Sequence, residues 1–496
     1  MTLPSGSFDP AKTPALFRSV FPSVMLPMFM AVGDQTIISS ALPAIASAFG
    51  EVERVSWAVV AYLVAATIAA PLYGYLGDGF GRRRLMFVAL GIFMTGSLLC
   101  AMAPSALLLT AARTLQGFGG GGLMALSQAL IGEVVPPRQR GHYQGYLATV
   151  ATVSAALGPV VGGFLTETFG WRSIFFINIP MGLLAFLLVF RLQSKPVVRR
   201  EDWSFDGLGL LYFIAFIAPM LIALERARHF DLTAWAGVAA LLAVSAGAFV
   251  LMLRQEKRAA TPLLPLELFR QPAIWRANGM AFCNGAAITS LIAFLPLYLR
   301  VTHGASPSQV GMILLPITIA IGAGSILTGR MVTRTGLTMV FPSWGLVGAS
   351  VFMLFFALVG MRMNIPQILI TLSLGTFFMG TVMSVVQVTV QTAAGRKALG
   401  AAAGSVQFSR TVGAAFGVAL LNTVLFASLA LADADALRLF AGVVDTGPAA
   451  LNALEPLRRI AIETDIANAF RAAFVLLAGF TTTGILLAFT NPSRRV

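Results

Sequence analysis

Fourteen apolar runs punctuate this chain, and they decide what it can fold into. They cover 19–47, 56–76, 84–103, 106–132, 142–165, 171–191, 207–224, 233–253, 274–299, 308–329, 338–360, 365–391, 398–427 and 468–490. Each is close to the roughly 20 residues that a helix needs to cross a bilayer core. Lipid offers no partner for backbone N–H and C=O groups, so spans of this kind are helices. The expected fold is therefore all-α: a polytopic membrane protein with 14 transmembrane helices. Composition agrees. Only 11% of the 496 residues are charged, against about 25% in an ordinary soluble domain, and the mean hydropathy is +0.84. The first run holds Pro22, Pro27 and Asp34 and no small-residue cleavage site, so it reads as a retained helix.

The net charge of +14 does not point to nucleic acid. The basic residues fall singly or in short groups between apolar runs, as in GRRR at 81–84 and VVRRED at 197–202, without interleaved aromatics. With both termini placed in the cytoplasm, the cytoplasmic segments hold more than twice as many Lys and Arg as the outer ones. That bias is the positive-inside rule, and it implies a multi-pass protein of the inner (cytoplasmic) membrane. Cys100 and Cys283 lie singly in apolar runs and His142, His229 and His303 lie near run ends. No metal set, nucleophile–base pair or phosphate loop is present, so neither an enzyme nor a cofactor is expected. The longest outer loop, 428–467, contains DADALRLF and LEPLRRIAIETD, which fit short surface helices. A lid, a docking surface for a periplasmic adaptor protein, and a simple tether are all open readings of it.

Asp34 is the one carboxylate well inside a run, in MAVGDQTIISSALPAIA at 30–46. An ionisable group at that depth is costly and normally faces a partner or a wet cavity. Counting about 1.5 Å per residue, Asp34 lies about 24 Å from Arg18. Arg113 lies about 14 Å below the start of the fourth run by the same count. In a core of about 30 Å the two are within roughly two turns of depth, which makes them plausible partners. Burial raises a carboxyl pKa and a nearby guanidinium lowers it, so a group between those effects is suited to exchanging a proton. A static polar lock and direct contact with a cationic substrate are the other readings.

Two loops repeat. GYLGDGFG at 74–81 follows the second run and GRMVTRTG at 329–336 follows the tenth, each with Gly first and eighth. Thr333 stands where the first loop has Asp78. The expected organisation is a six-helix half (1–200), a two-helix insertion (201–258) and a second six-helix half (259–496), a plan shared by many secondary transporters.

These motifs carry a family resemblance. GYLGDGFGRRR resembles the inner-loop signature of the major facilitator superfamily in Gly74, Leu76, Asp78, Gly81, Arg82 and Arg83, with Gly79 where that family usually has arginine. Asp78 there suggests a latch at the inner side. LTAARTLQGFGGGG at 109–122 resembles the family's helix 4 in Arg113, Gln116 and Gly117. GYLATVATVSAALGPVVGG at 145–163 is similar to its antiporter helix 5, with Gly145, Gly158, Pro159, Gly162 and Gly163 in register and Ser154 replacing a glycine. GDQTIISSALPAIA, with Trp57, Tyr62, Pro71 and GSVQFSRTVGAAFGVAL at 404–420, resembles the 14-helix drug:proton antiporter branch. The resemblance implies a proton-coupled antiporter that exports hydrophobic or amphipathic small molecules by alternating access, driven by the proton gradient with Asp34 and Arg113 as the coupling pair. A dedicated exporter of one endogenous metabolite or antibiotic is the alternative; the helix 5 pattern speaks against an importer. Gln116, Asn284, Gln387, Gln391 and Arg410 are the candidates for the substrate cavity. Arg410 suits either an anionic substrate or a helix terminus.

Overall fold

The computed structural model describes residues 13–50, 52–192, 205–227, 235–264, 266–433, 439–440, 451 and 454–495. Among the described residues there are fourteen long helical segments: α1 Thr13–Phe49, α2 Val52–Phe80, α3 Arg82–Met102, α4 Ala106–Val134, α5 Arg140–Phe169, α6 Ser173–Phe190, α7 Gly207–Ala227, α8 Trp235–Glu256, α9 Pro272–His303, α10 Pro307–Thr335, α11 Val340–Val359, α12 Ile365–Ala394, α13 Leu399–Ala432 and α14 Pro456–Thr490. Thirteen of these segments are long and apolar enough to cross a bilayer. The other is α4, whose hydropathy is diluted by Arg113, Gln116, Gln128 and its glycines. From Gln116 to Gly132 every α4 residue but Phe118 is buried. A helix that lipid barely touches bears polar groups at lower cost, because neighbouring helices supply their partners.

Packing follows an offset of eight helices. In the first six, α2 packs on α4, α3 on α4, α1 on α5, and α6 on α3. In the last six, α10 packs on α12, α11 on α12, α9 on α13, and α14 on α11. The same small residues mediate equivalent crossings. Ser154, Gly158 and Gly162 on α5 have the spacing of Ser409, Gly413 and Gly417 on α13. A Cβ at Gly158 or Gly162 would overlap Thr36 or Ile37 of α1, and one at Gly413 or Gly417 would overlap Phe282 or Ala286 of α9. The loop repeat is equally physical. Gly81 and Gly336 both take positive φ (94° and 71°), which only glycine adopts freely. Gly74 and Gly329 both lie against a backbone carbonyl of the other set of six, Gly400 and Gly141 respectively.

α7 and α8 pack on each other, and α7 leans on α2 and α13, with Phe213 meeting Phe408 at 5.5 Å between ring centroids. The long outer loop is shorter than the hydropathy suggested. α13 continues to Ala432 and α14 begins at Pro456, so LEPLRRIAIETD mostly forms the first turns of α14, not a separate surface helix. Ile462 and Ile466 explain this: they lie i, i+4 on the buried face and join an apolar core of the second set of six, while Arg458, Arg459 and Glu463 dilute the hydropathy. Arg459 and Glu463 pair at 2.7 Å along the helix. Most of DADALRLF, the VVRRED segment and His229 lie outside the described residues.

Candidate functional site

Asp34 projects from α1 into a packed junction of α1, α2, α3, α4 and α6. Glycines permit that junction. A Cβ at Gly117 would collide with the Tyr62 backbone, one at Gly120 with the Tyr62 hydroxyl, and one at Gly96 with the backbone of Gln116. The close approach of α2 and α4 sets the Tyr62 ring under Arg113, whose guanidinium carbon lies 4.2 Å from the ring centroid. Tyr62 Oη donates to the Ala31 carbonyl of α1 at 2.8 Å. Arg113 Nη1 donates to Asp34 Oδ2 at 2.5 Å, and both side chains have zero exposure. Asp34 Oδ1 accepts from Gln116 Nε2 at 2.8 Å and from Asn178 Nδ2 at 2.6 Å. Gln116 Oε1 accepts from Arg113 Nη1 at 2.8 Å, and Gln116 Nε2 also reaches Ser97 Oγ at 2.7 Å.

A buried carboxylate is tolerated when paired and hydrogen-bonded, and here three donors hold its two oxygens. Arg113 and Asp34, expected from depth alone to be near neighbours, are in direct contact. Gln116, expected at the cavity, instead bridges the pair to α3. Sequence reasoning missed Asn178 and Ser97. The signal for Asn178 was present: a lone carboxamide in SIFFINIPMGLLAFLLVF, an otherwise almost wholly apolar run, invites the argument applied to Asp34.

A second cluster sits where the basic residues gather. Asp78, near the end of α2, accepts from the backbone N–H of Gly400 at 2.9 Å and of Ala401 at 3.0 Å, the first turn of α13. A carboxylate at a helix N-terminus is favoured by the helix dipole. Asp78 also pairs with Arg82, and Arg82 pairs with Glu133 of α4 at 2.5 Å. Glu133 was not anticipated. At the equivalent crossing, Thr333 Oγ1 of α10 accepts from the His142 N–H in the first turn of α5 at 3.2 Å. One crossing thus has an ionic cap and its counterpart a neutral one. Gly145 lies against the Ser325 carbonyl in the same region. Arg83, grouped with this gate by its motif, points elsewhere. It donates to the Val189 and Phe190 carbonyls at the end of α6 (3.2 and 2.6 Å) and so caps that helix.

The antiporter-like stripe of α5 faces α1. Ser154 Oγ donates to the Phe29 carbonyl at 2.5 Å, four residues before Gly33, whose missing Cβ would lie 2.8 Å from the same oxygen. Pro159 is exposed, and a Cβ at Gly163 would meet nothing within 4 Å, so neither takes part in this contact.

Between the two sets of six lies a narrow, partly open cleft. Met28, Leu147, Val382 and Val386 supply apolar walls, and Gln128, Gln144, Asn284, Gln387, Gln407 and Arg410 supply polar ones. Asn284, Gln387 and Arg410 therefore stand where expected. Gln391 does not line it: its side chain donates to the Gln128 carbonyl at 2.9 Å and packs on Gly132, a strut between α12 and α4. Asn278 bridges helices, donating to Ile274 O and accepting from Ser409.

The profile of the Major Facilitator Superfamily matches residues 24–418. The chain belongs to that superfamily. An uncharacterized MFS-type transporter of Mycobacterium tuberculosis, Rv1877, is 32% identical over 97% of this chain and 70% of its own length. The multidrug transporter protein MdtP of Bacillus subtilis is 29% identical over 81% of this chain and 74% of its own. The fold is similar to that of the human organic anion transporter MFSD10, with a TM-score of 0.64 at 15% identity, covering 95% of this chain and 99% of the other. The proton:xylose symporter XylE gives a TM-score of 0.58 at 14% identity, covering 94% and 95%. This facilitator is accordingly a multi-pass membrane transporter of small molecules that works by alternating access, not an enzyme. Its two sets of six are joined at the basic end by the Asp78 and Thr333 caps and the Gln391 strut.

Proposed function

We propose that this facilitator is a proton-coupled antiporter of the 14-helix drug:proton type, exporting hydrophobic or amphipathic small molecules. In this reading residues 1–200 and 259–496 are the two moving halves and 201–258 an insertion beside their seam. The basic end faces the cytoplasm, both termini lie there, and the protein resides in the inner membrane. The Asp78 network is the inner latch.

The observation that carries the reading is the sealed Asp34 carboxylate, held by Arg113, Gln116 and Asn178. A proton and the Arg113 guanidinium compete for the same oxygen. Protonation removes the charge that Arg113 neutralises and leaves a buried cation seeking another partner, a change worth several kcal/mol in a dry site (roughly 3–5). α1 and α4 hold this pair and also wall the cavity through Met28 and Gln128, so loosening their contact alters the space that substrate occupies. The name borne by the Bacillus relative supports multidrug transport.

The test uses inverted vesicles with an acidic lumen. Nile red, ethidium and an anionic amphipath are added in turn and lumenal pH is followed. The intact chain should give substrate-induced alkalinisation with at least one of them and Asp34→Asn with none. Silence from the intact chain, or undiminished alkalinisation by the variant, contradicts the proposal.

A further inference from the structure

We propose that the cavity selects amphipathic organic anions, with Arg410 as the recognising cation. The inference rests on the export reading for what is carried, and on the cavity's own chemistry for its class.

Among the described residues, Arg410 is the only ionisable one lining the space. It stands well inside α13, far from either terminus, so no helix end uses its charge. Buried Arg113 has Asp34, buried Arg82 has Asp78 and Glu133, and buried Arg140 donates to the Val135 carbonyl, whereas Arg410 is half-buried. Arg410 is held by a neutral group, donating from Nη2 to Gln407 Oε1 at 2.5 Å. Gly285 lets α13 press so close that its missing Cβ would lie 3.1 Å from Arg410 Cγ, which fixes the stem and leaves the guanidinium fork facing the space. A guanidinium in a low-dielectric cleft without a counter-ion is unfavourable, and a bound carboxylate relieves it through two parallel charge-assisted hydrogen bonds.

The neighbouring amides point the same way. Gln387 is 2% exposed, and both its Oε1 and Nε2 lack a partner; Asn284 is 4% exposed, and its Oδ1 lacks one. Both line the space. Buried polar atoms without partners are rare in folded proteins and call for a ligand or water. They would receive the polar substituents of the anion while Met28, Leu147 and Val386 receive its apolar body. A lipophilic cation would find no carboxylate here and would face Arg410.

Three isosteric probes test this on the purified full-length protein in detergent: radiolabelled 1-naphthaleneacetate, 1-naphthaleneacetamide and 1-naphthylmethylammonium, each by equilibrium binding. The acetate should bind roughly tenfold or more tightly than the amide, the difference one charge-assisted contact confers, and the ammonium should not compete. Arg410→Gln should abolish the preference, and Arg410→Lys, which keeps the charge but not the fork, should retain part of it. Size-exclusion profiles identify any variant that fails to fold, and Gln387→Leu gives a second, uncharged perturbation that should weaken the acetate without inverting the order. An ammonium that binds as well as the acetate, an acetate that does not bind, or a preference unchanged in Arg410→Gln overturns the inference. The two proposals fail separately. Acetate binding without proton-linked flux removes the export reading alone; proton-linked flux of ethidium without acetate binding removes the anion selectivity alone.

Discussion

Replacing Asp78 by Asn tests whether the basic-end junction is an ionic latch. The carboxylate accepts two N–H groups from the first turn of α13 and pairs with Arg82, at 14% side-chain exposure. Hydrogen bonds to a charged acceptor are worth about 1.5–3 kcal/mol each against about 0.5–1.5 for neutral ones. Asn keeps one acceptor oxygen but loses the charge, so the closed junction should lose about 2–3 kcal/mol. That shifts a two-state equilibrium by roughly 30- to 150-fold toward the open form. At the equivalent crossing, Thr333→Ala removes one neutral hydrogen bond and should shift it only about 2- to 10-fold. Spin labels at exposed Arg138 and Lys397, one on each set of six, report the separation by pulsed dipolar spectroscopy. The prediction is a new long-distance population in Asp78→Asn and a much smaller one in Thr333→Ala. Equal shifts in the two, or none with Asp78→Asn, would refute the reasoning that charge at the α13 N-terminus holds the junction.

Other consequences are local. Gly158→Ala should cost about 1–3 kcal/mol by overpacking against Thr36 and the Gly33 carbonyl, seen as a lower thermal midpoint in detergent, whereas Gly163→Ala, with open space around it, should stay within about 0.5 kcal/mol. Asn178→Leu strips one of the two donors from Asp34 Oδ1; at about 1 kcal/mol for an intramembrane hydrogen bond, the midpoint should fall, and an unchanged midpoint would show that the contact is idle. Arg83→Gln removes the cap on α6 and should lower stability while leaving the Arg138–Lys397 distance distribution unaltered, which would separate this arginine from the latch.

Much of this architecture is legible in the chain because lipid makes the pattern strict: each span declares itself as an apolar run, and a lone Asp34 declares itself by its cost. The α14 start was misplaced because Arg458, Arg459 and Glu463 lower the hydropathy of turns whose Ile462 and Ile466 are nonetheless buried. Depth made Arg113 a plausible partner of Asp34, but Asp34 also accepts from Asn178 of α6, with Ser97 of α3 behind it, and depth does not say which helices adjoin. Gln391 and Gln116 look alike in sequence to Gln387; only the packing shows that they bond to neighbouring helices while Gln387 faces the cavity. Arg83 and Arg82 are adjacent, so their side chains leave the helix about 100° apart and serve different neighbours. The match of Ser154, Gly158 and Gly162 to Ser409, Gly413 and Gly417 was available to a comparison of the fifth and thirteenth runs, and is a stronger trace of the internal repeat than the loops.

The central claim is that Asp34 exchanges a proton and is not a fixed lock. Proteoliposomes decide between these with one substrate measured two ways: equilibrium exchange across the membrane without a pH gradient, and uphill accumulation driven by one. If Asp34 carries the proton, Asp34→Asn will retain exchange and lose accumulation. If Asp34→Asn accumulates substrate like the intact protein, the proton binds elsewhere; if it loses both together, the buried cluster serves only to hold the helices.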